Sequence, residues 1–378
     1  MPINIYDTIV VGAGVAGCNA AFALKEKGQR VLLLDRSAVP ASGGSGAAGA
    51  FISPKIGKGG KLQELTNQAY LYAVEFYLKH FPEHYSQSGI VRVPRDQDDK
   101  DKYPQYEKYN IDKYQIVDKE FFNKYKVKNE EIGFWFKDAG VCDAPGMCHA
   151  IWERVEFRQF NVSSIEMASN GIWNLSDGNI KLSGKNIVLS TGYQNELFDM
   201  RYMGVKGLWG SRGDYFSGLD LEISIHKRIS ISKNINGIIK LGATHVKSKE
   251  PCIRCNGKPL ETIEAQASKI VDTGDFILKE TFCGMRSGSR DFFPLVGKVI
   301  DVEWMLEHHP NIVKGAKPPL KYHKNLYILN GVGGRGFVFS PLMAKWLSEL
   351  IVDRRGIDSR VDPDRLFLKW ARRLNRGR

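Results

Sequence analysis

The sequence predicts an α/β protein, in which a Rossmann-like βαβ domain assembled from separated segments joins a β-rich antiparallel substrate domain. Three observations carry that expectation. YDTIVVGAGVAGCNAAFALKEKGQRVLLLDRS, near the start, is an apolar run, a glycine turn, a helical stretch to Gly28 and a second apolar run closed by Asp35, a βαβ unit of ordinary size. GLDLEISIHKRISISKNINGIIKLGATHV alternates apolar and polar residues between turn signals, as antiparallel strands do. KNIVLSTG and, near the end, NLYILNGVGGRGFVFSPLMAKWLSELIV are strands that run into small-residue turns, the second followed by a helix expected to start around Ser340 and Pro341.

In the first unit Gly12 permits the tight turn, Gly14 lets backbone amides reach a pyrophosphate at the helix N-terminus, and Gly17 lets the helix lie against the sheet. Asp35 is placed to accept hydrogen bonds from an adenosine ribose. PASGGSGAAGAFISPK reads as a close-approach loop against a flat cofactor rather than a linker, because a helix with Leu62, Leu65, Ala69, Tyr72 and Phe76 on one face follows at once. RDQDDKDKYPQYEKYNIDKYQ reads as a solvated face over packed tyrosines, with phosphate tracking and base stacking as the alternative. The expected cofactor-domain segments are 1–90, 136–200 and 284–355, the substrate-domain segments 91–135 and 201–283, and 356–378 is a basic tail.

GMRSGSRDFFPLVG sets two arginines among residues of little bulk, where Arg286 can aim a planar fork at an acidic ligand group. Arg290 is open between a catalytic role and an ion pair with Asp291. In the tail, Leu366, Phe367 and Trp370 are expected to dock while neighbouring arginines widen a positive field.

With 378 residues, 43% of them hydrophobic, the chain is globular and large enough for two intertwined domains. Its formal charge of +12 points to an acidic partner, nucleic acid first. MPINIYDTIVVG has no basic signal-peptide region, and no apolar run approaches the ~20 residues of a membrane span, so a cytoplasmic address is expected. Six scattered cysteines form no disulfide framework; Cys252 and Cys255 make a lone CxxC that Cys142 and Cys148 do not complete as a second tight pair, so no metal is expected.

Together the glycine turn, ASGGSGAAGAFISPK, GLWGSRGDY, CGMRSGSRDFFPLVG and NLYILNGVGGRGFVFSPLMA resemble the FAD-dependent amino-acid oxidase superfamily, with its D-amino acid, glycine and sarcosine oxidases, over nearly the whole chain. Within it they are similar to the oxidase domain of the bifunctional tRNA 5-methylaminomethyl-2-thiouridine biosynthesis proteins. The resemblance implies FAD, held by Gly12, Gly14, Gly17, Asp35, Arg36, Ser42, Gly43, Gly44, Thr191, Gly192, Gly333, Gly334, Arg335, Gly336 and Phe337. It implies that Arg286 pairs with a substrate carboxylate, with Arg212 as a further substrate contact and Arg290 as a second catalytic candidate. Arg335 and Gly336 would lie near the pyrimidine end of the flavin.

The implied substrate is tRNA, whose wobble carboxymethylaminomethyl-uridine would be oxidised at the glycyl Cα–N bond to aminomethyl-uridine and glyoxylate. Three departures stand out. The family's methyltransferase does not precede this βαβ unit, so that activity is expected to be absent or on a separate partner chain. Ile229 and Ser232 stand where relatives have tyrosine and proline, and Gly334 replaces a serine. Two other readings share the fold: an oxidase of a free small amine such as glycine, sarcosine or a D-amino acid, and a tRNA-binding flavoprotein without turnover.

Overall fold

A computed structural model describes residues 5–111, 113–129, 131–194, 196–246 and 257–375. The CxxC at Cys252 and Cys255 lies outside the described residues. Ile5–Val11 and Val31–Asp35 pair in parallel, with Val10 opposite Leu33 and Val11 opposite Leu34. Their near-continuous Val, Ile and Leu content follows from burial on both faces. Lys181–Leu189 flanks Ile5–Val11 on its other side, and Tyr322–Asn330 extends the parallel array. Strands drawn from both ends of the chain thus complete one eight-stranded sheet.

One face of that sheet is covered by the helices Val15–Glu26, Lys61–His80, Ala144–Trp152 and Gly336–Val352. The last of these starts at Gly336, a turn before the predicted Ser340, and carries Pro341 inside it. Proline lacks the N–H that would meet the carbonyl of Phe337 four residues back. The Tyr77 hydroxyl donates to that carbonyl instead, at 2.8 Å, so the helix continues through its proline. The opposite face is closed by Asp364–Leu374, with Phe367 fully buried and Tyr202 packed edge-on against it. The basic tail is therefore a docked helix, and Arg365 is fixed on Asp291 at 2.9 Å.

The second eight-stranded sheet runs from Ile277–Gly288 through Lys206–Phe216, Ile238–Gly242, Ser230–Ile231, Ser224–His226 and Ile90–Arg92 to Gly133–Phe136 and Gln115–Val117. Its pairs are antiparallel except Ile90–Arg92 with Ser224–His226. Ile277–Gly288 is one continuous strand, so Arg286 is carried by the antiparallel sheet. Two-residue periodicity sorts its faces. Val91, Ile225, Ile231 and Leu241 sit in register and fill a core beneath the helix Lys258–Ala267. Their neighbours Arg92, His226, Ser230, Gly242 and Arg212 form a row on the other face, which looks toward the first sheet.

In the segment 95–115, Tyr103 and Tyr106 are buried, and Tyr103 stacks on Phe134 at 4.6 Å. The cluster is held by Asp99, which accepts from Arg92 at 2.6 Å, Arg95 at 3.2 Å and the Tyr106 hydroxyl at 3.1 Å.

Candidate functional site

Between the two sheets lies a cavity of about 960 Å³. Its first wall is backbone. Gly12 has φ +106°, and a Cβ there would lie 2.4 Å from the Ser190 carbonyl; a Cβ on Gly17 would lie 1.8 Å from the Gly12 carbonyl. No side chain fits at either position, which brings the N-terminus of Val15–Glu26 onto the strand ends. Gly14 is the N-cap and offers no side-chain acceptor, and the first turn holds no acid, leaving this end suited to an anion. Asp35 accepts the Ala13 amide at 2.7 Å through one oxygen and the Ser37 amide at 2.9 Å through the other. A carboxylate has further lone pairs, so both oxygens can still accept from a ligand hydroxyl.

The segment around Ser42, Gly43 and Gly44 lines the same cavity. Its close approach is to protein: a Cβ on Gly44 would sit 2.4 Å from the Met285 carbonyl. This is how the loop couples the two sheets. Thr191 and Gly192 line the cavity too, and the Gly192 carbonyl accepts from Asn330 at 2.7 Å. Gly333, Gly334, Arg335, Gly336 and Phe337 close the wall, and exposed Arg36 stands at its edge.

The second wall is charged side chains. Arg286 lies over Gly210, where a Cβ would come within 2.2 Å of its guanidinium. It donates to the Thr244 carbonyl at 3.0 Å and the Trp209 carbonyl at 3.4 Å, and no carboxylate pairs with it among the described residues. Burial lowers its pKa from the ordinary value. Such a group is a half-satisfied cation facing a cavity, suited to a ligand carboxylate.

Arg212 is built differently. It is 2% exposed, forms a two-point ion pair with Asp214 at 2.8 and 3.2 Å, and donates to the Gly46 and Ala48 carbonyls. Its guanidinium also lies 4.0 Å from the Phe282 ring centroid. The expected substrate contact is therefore corrected: Arg212 is a brace whose donors are already committed to protein.

Arg290 is corrected as well. It is exposed and absent from the cavity lining, and Asp291 is held by Arg365, Ser289 and the Phe293 amide. Arg290 instead lies against Gly204, its amide donating to the Met203 carbonyl at 3.4 Å. The departures at Ile229 and Ser232 also fall elsewhere. Ile229 is in the core, and Ser232 is buried, bonding the Lys233 carbonyl and the Lys240 amide. Strand alternation gives the cavity position to Ser230. A Cβ on Gly334 would touch Arg286 Cδ at 3.4 Å, so the third departure stands beside the candidate carboxylate anchor.

Arg335 donates to the Ser53 carbonyl at 2.9 Å, and burial pushes its pKa down to about 10. The Ser53 hydroxyl meets His226 Nε2 at 3.2 Å. Burial, followed by the charges of Arg335 and Arg92, pushes His226 down to about 3, so the imidazole is neutral. Nδ1 of that ring has no protein partner. Sequence reasoning missed His226, Ser53 and Lys55. The signal for His226 was present, as a polar residue on the same strand face as Ser224 and Ser230 in SIHKRIS.

Cys142 and Cys148 are buried and free, and no metal-holding cluster occurs among the described residues. No described helix is long and apolar enough to cross a membrane.

A family model described as FAD dependent oxidoreductase (DAO) matches residues 7–350. The tRNA 5-methylaminomethyl-2-thiouridine biosynthesis bifunctional protein MnmC of Shewanella amazonensis is 24% identical over 100% of this chain and 61% of its own length. Its counterpart from Campylobacter concisus is 23% identical over 99% of this chain and 61% of its own length. The chain thus spans about three fifths of these relatives. Glycine oxidase from Bacillus cereus superposes with a TM-score of 0.76 at 18% identity, covering 93% of this chain and 96% of the other. L-Proline dehydrogenase from P. horikoshii gives 0.77 at 14% identity, covering 99% of each.

Proposed function

The chain belongs to the FAD dependent oxidoreductase (DAO) family, and we propose that within it the protein oxidises the glycyl Cα–N bond of carboxymethylaminomethyl-uridine in tRNA. The cofactor is FAD, and the cavity fits it. Gly12 and Gly17 exclude side chains where a diphosphate must meet the helix end, and Asp35 stands where a ribose would donate. Arg335 offers a half-buried positive charge without an acidic partner among the described residues. When bound, FAD supplies the two-electron acceptor for C–N oxidation.

The observation that carries the reading is Arg286. Its fork is half-buried, lacks a carboxylate partner among the described residues and is aimed by two main-chain carbonyls. A bidentate pair with the substrate carboxylate fixes the neighbouring α-carbon in one orientation. Arg212 ties Asp214 to the loop 46–48, and so holds the wall on which Arg286 stands. The net change removes two electrons and two protons from the H–Cα–N–H unit, leaving a Cα=N imine. Water then cleaves the imine, releasing glyoxylate and leaving the aminomethyl group on the uridine. The names of the relatives and the charge of +12 support RNA as the carrier of that amine.

The test is anaerobic mixing of the flavin-loaded protein with tRNA carrying carboxymethylaminomethyl-uridine, following flavin absorbance and glyoxylate. Bleaching with stoichiometric glyoxylate is expected. Efficient bleaching by free glycine or sarcosine and none by tRNA would replace RNA with a small amine. Tight tRNA binding with an unbleached flavin would leave a binding protein without turnover.

A further inference from the structure

One transverse row of the second sheet can be followed by direct pairing. Arg212 is opposite Gly242, Gly242 opposite Ser230, Ser230 opposite His226, and His226 opposite Arg92. All five line the cavity. The two ends of the row are bulky and tied to protein. Arg212 is pinned on Asp214 and on the carbonyls of Gly46 and Ala48. At the other end His226 is fixed on Ser53 and meets the Phe51 ring edge-on at 5.0 Å, and Arg92 is paired with Asp99. Between them stand a glycine and a serine, so the cavity floor dips across two neighbouring strands.

The dip lies next to the fork of Arg286. That guanidinium lies over Gly210 and donates to the Thr244 carbonyl at 3.0 Å. Thr244 follows Gly242 by two residues, and Gly242 is the direct partner of Ser230. Two residues of chain and one strand spacing put the Ser230 backbone at most about 12 Å from that contact. The Ser230 side chain is half-buried, and its hydroxyl bonds no protein group among the described residues. It is therefore a polar group at the cavity floor that a ligand can satisfy.

We propose that the dip at Gly242 and Ser230 seats the pyrimidine ring of the substrate, with the Ser230 hydroxyl donating to the ring carbonyl beside the carbon that bears the amine side chain. The assignment rests on the RNA reading above and adds to it the residue that selects a nucleoside amine. With the carboxylate on Arg286, the α-carbon, the amine and one methylene lead to the ring, a chain of four bonds spanning about 5 Å. Adding an ion pair of about 3 Å and the breadth of the ring brings the ring carbonyl within reach of a serine hydroxyl at that distance. A free glycine ends at its amine and leaves the dip empty. The side of the dip made by His226 and Phe51 is aromatic, as a nucleobase prefers.

The experiment uses the full flavin-loaded chain with Ser230→Tyr, which fills the dip, and Ser230→Ala, which keeps the space and removes the hydroxyl. Two small probes share the carboxylate and the secondary amine: carboxymethylaminomethyl-uridine as the free nucleoside, and N-methylglycine, which has a methyl group in place of the ring and its linker. Dissociation constants are read from perturbation of the flavin spectrum, and chemistry from the anaerobic bleaching rate at saturation. For the nucleoside, Kd should rise about 10²-fold in Ser230→Tyr, the scale of an overfilled site. It should rise about fivefold in Ser230→Ala, the scale of one hydrogen bond, with the bleaching rate at saturation little changed. For N-methylglycine, Kd should stay within about threefold in both variants.

Equal losses on the two probes would put Ser230 in the carboxylate pocket and overturn the seat. So would nucleoside binding that is indifferent to Ser230→Tyr in a protein of wild-type flavin content. If Ser230→Tyr loses its flavin, Ser230→Ala decides, and unchanged nucleoside affinity in that variant overturns the seat. A wild-type protein that bleaches with N-methylglycine but neither binds nor oxidises the nucleoside or the modified tRNA would overturn both the seat and the parent reading; wild-type turnover of the tRNA with both variants indifferent would overturn the seat alone.

Discussion

Where the cavity meets Gly12–Gly17 its wall is bare backbone, packed so closely that a Cβ on Gly17 would lie 1.8 Å from a carbonyl oxygen; where it meets the antiparallel sheet, the wall is arginine, histidine and lysine side chains. The first wall works by excluding atoms, and a change there has no partial form. The second works by placing charge, and each charge has its own degree of commitment to protein partners. Arg212 has spent its donors on Asp214 and two carbonyls, whereas Arg286 keeps its fork for a ligand. Replacing one should cost stability and replacing the other should cost chemistry.

The largest effect is expected at the backbone wall. Gly17→Val should give a colourless or insoluble protein, read by flavin absorbance and circular dichroism; a soluble, yellow variant would mean that the glycine contact is dispensable. On the charged wall, Arg212→Ala leaves Asp214 buried without its partner, and a loss of about 3–5 kcal/mol is expected in chemical denaturation. Arg286→Ala should melt within a few degrees of wild type yet lose about 10²–10³-fold in kcat/KM. If the two arginines swapped these outcomes, the distinction between brace and anchor would be reversed.

A smaller effect separates His226 from both. Its pKa of about 3 lies below the usual 6.5, so between those values the unfolded chain binds more protons than the folded one. Stability contributed by the neutral ring is present above 6.5 and declines as pH falls toward 3. His226→Gln should show a shallower fall in melting temperature from pH 7 to pH 5, and identical slopes would remove His226 from this role. Arg290→Ala should do least, within about 0.5 kcal/mol of wild-type stability, because it is exposed and Asp291 keeps Arg365.

The same contrast explains what could be read in advance. The backbone wall was legible because its requirement is local: Gly12, Gly14 and Gly17 are spaced by one turn and one helix start, and Asp35 follows at the end of the next strand. The faces of the second sheet were half-legible. Alternation gave strands but not which parity faced the cavity, so Ile229 and Ser232 drew attention that belonged to Ser230. Arg290 looked like a partner of the adjacent Asp291, but bidentate pairing needs geometry that a neighbour in the chain does not offer, and Arg365 has it.

The sequence alone determined the βαβ unit, the antiparallel strands, the small-residue setting of Arg286 and the apolar face of the last helix, since each depends on periodicity or bulk within a few residues. Only the tertiary structure decided which charges are spoken for. Arg212 meets the loop 46–48, Ser53 meets His226, and Tyr77 takes the carbonyl that Pro341 leaves open. Those partners lie 166, 173 and 260 residues apart, and sheet register with helix packing, not proximity in the chain, brings them within hydrogen-bonding distance.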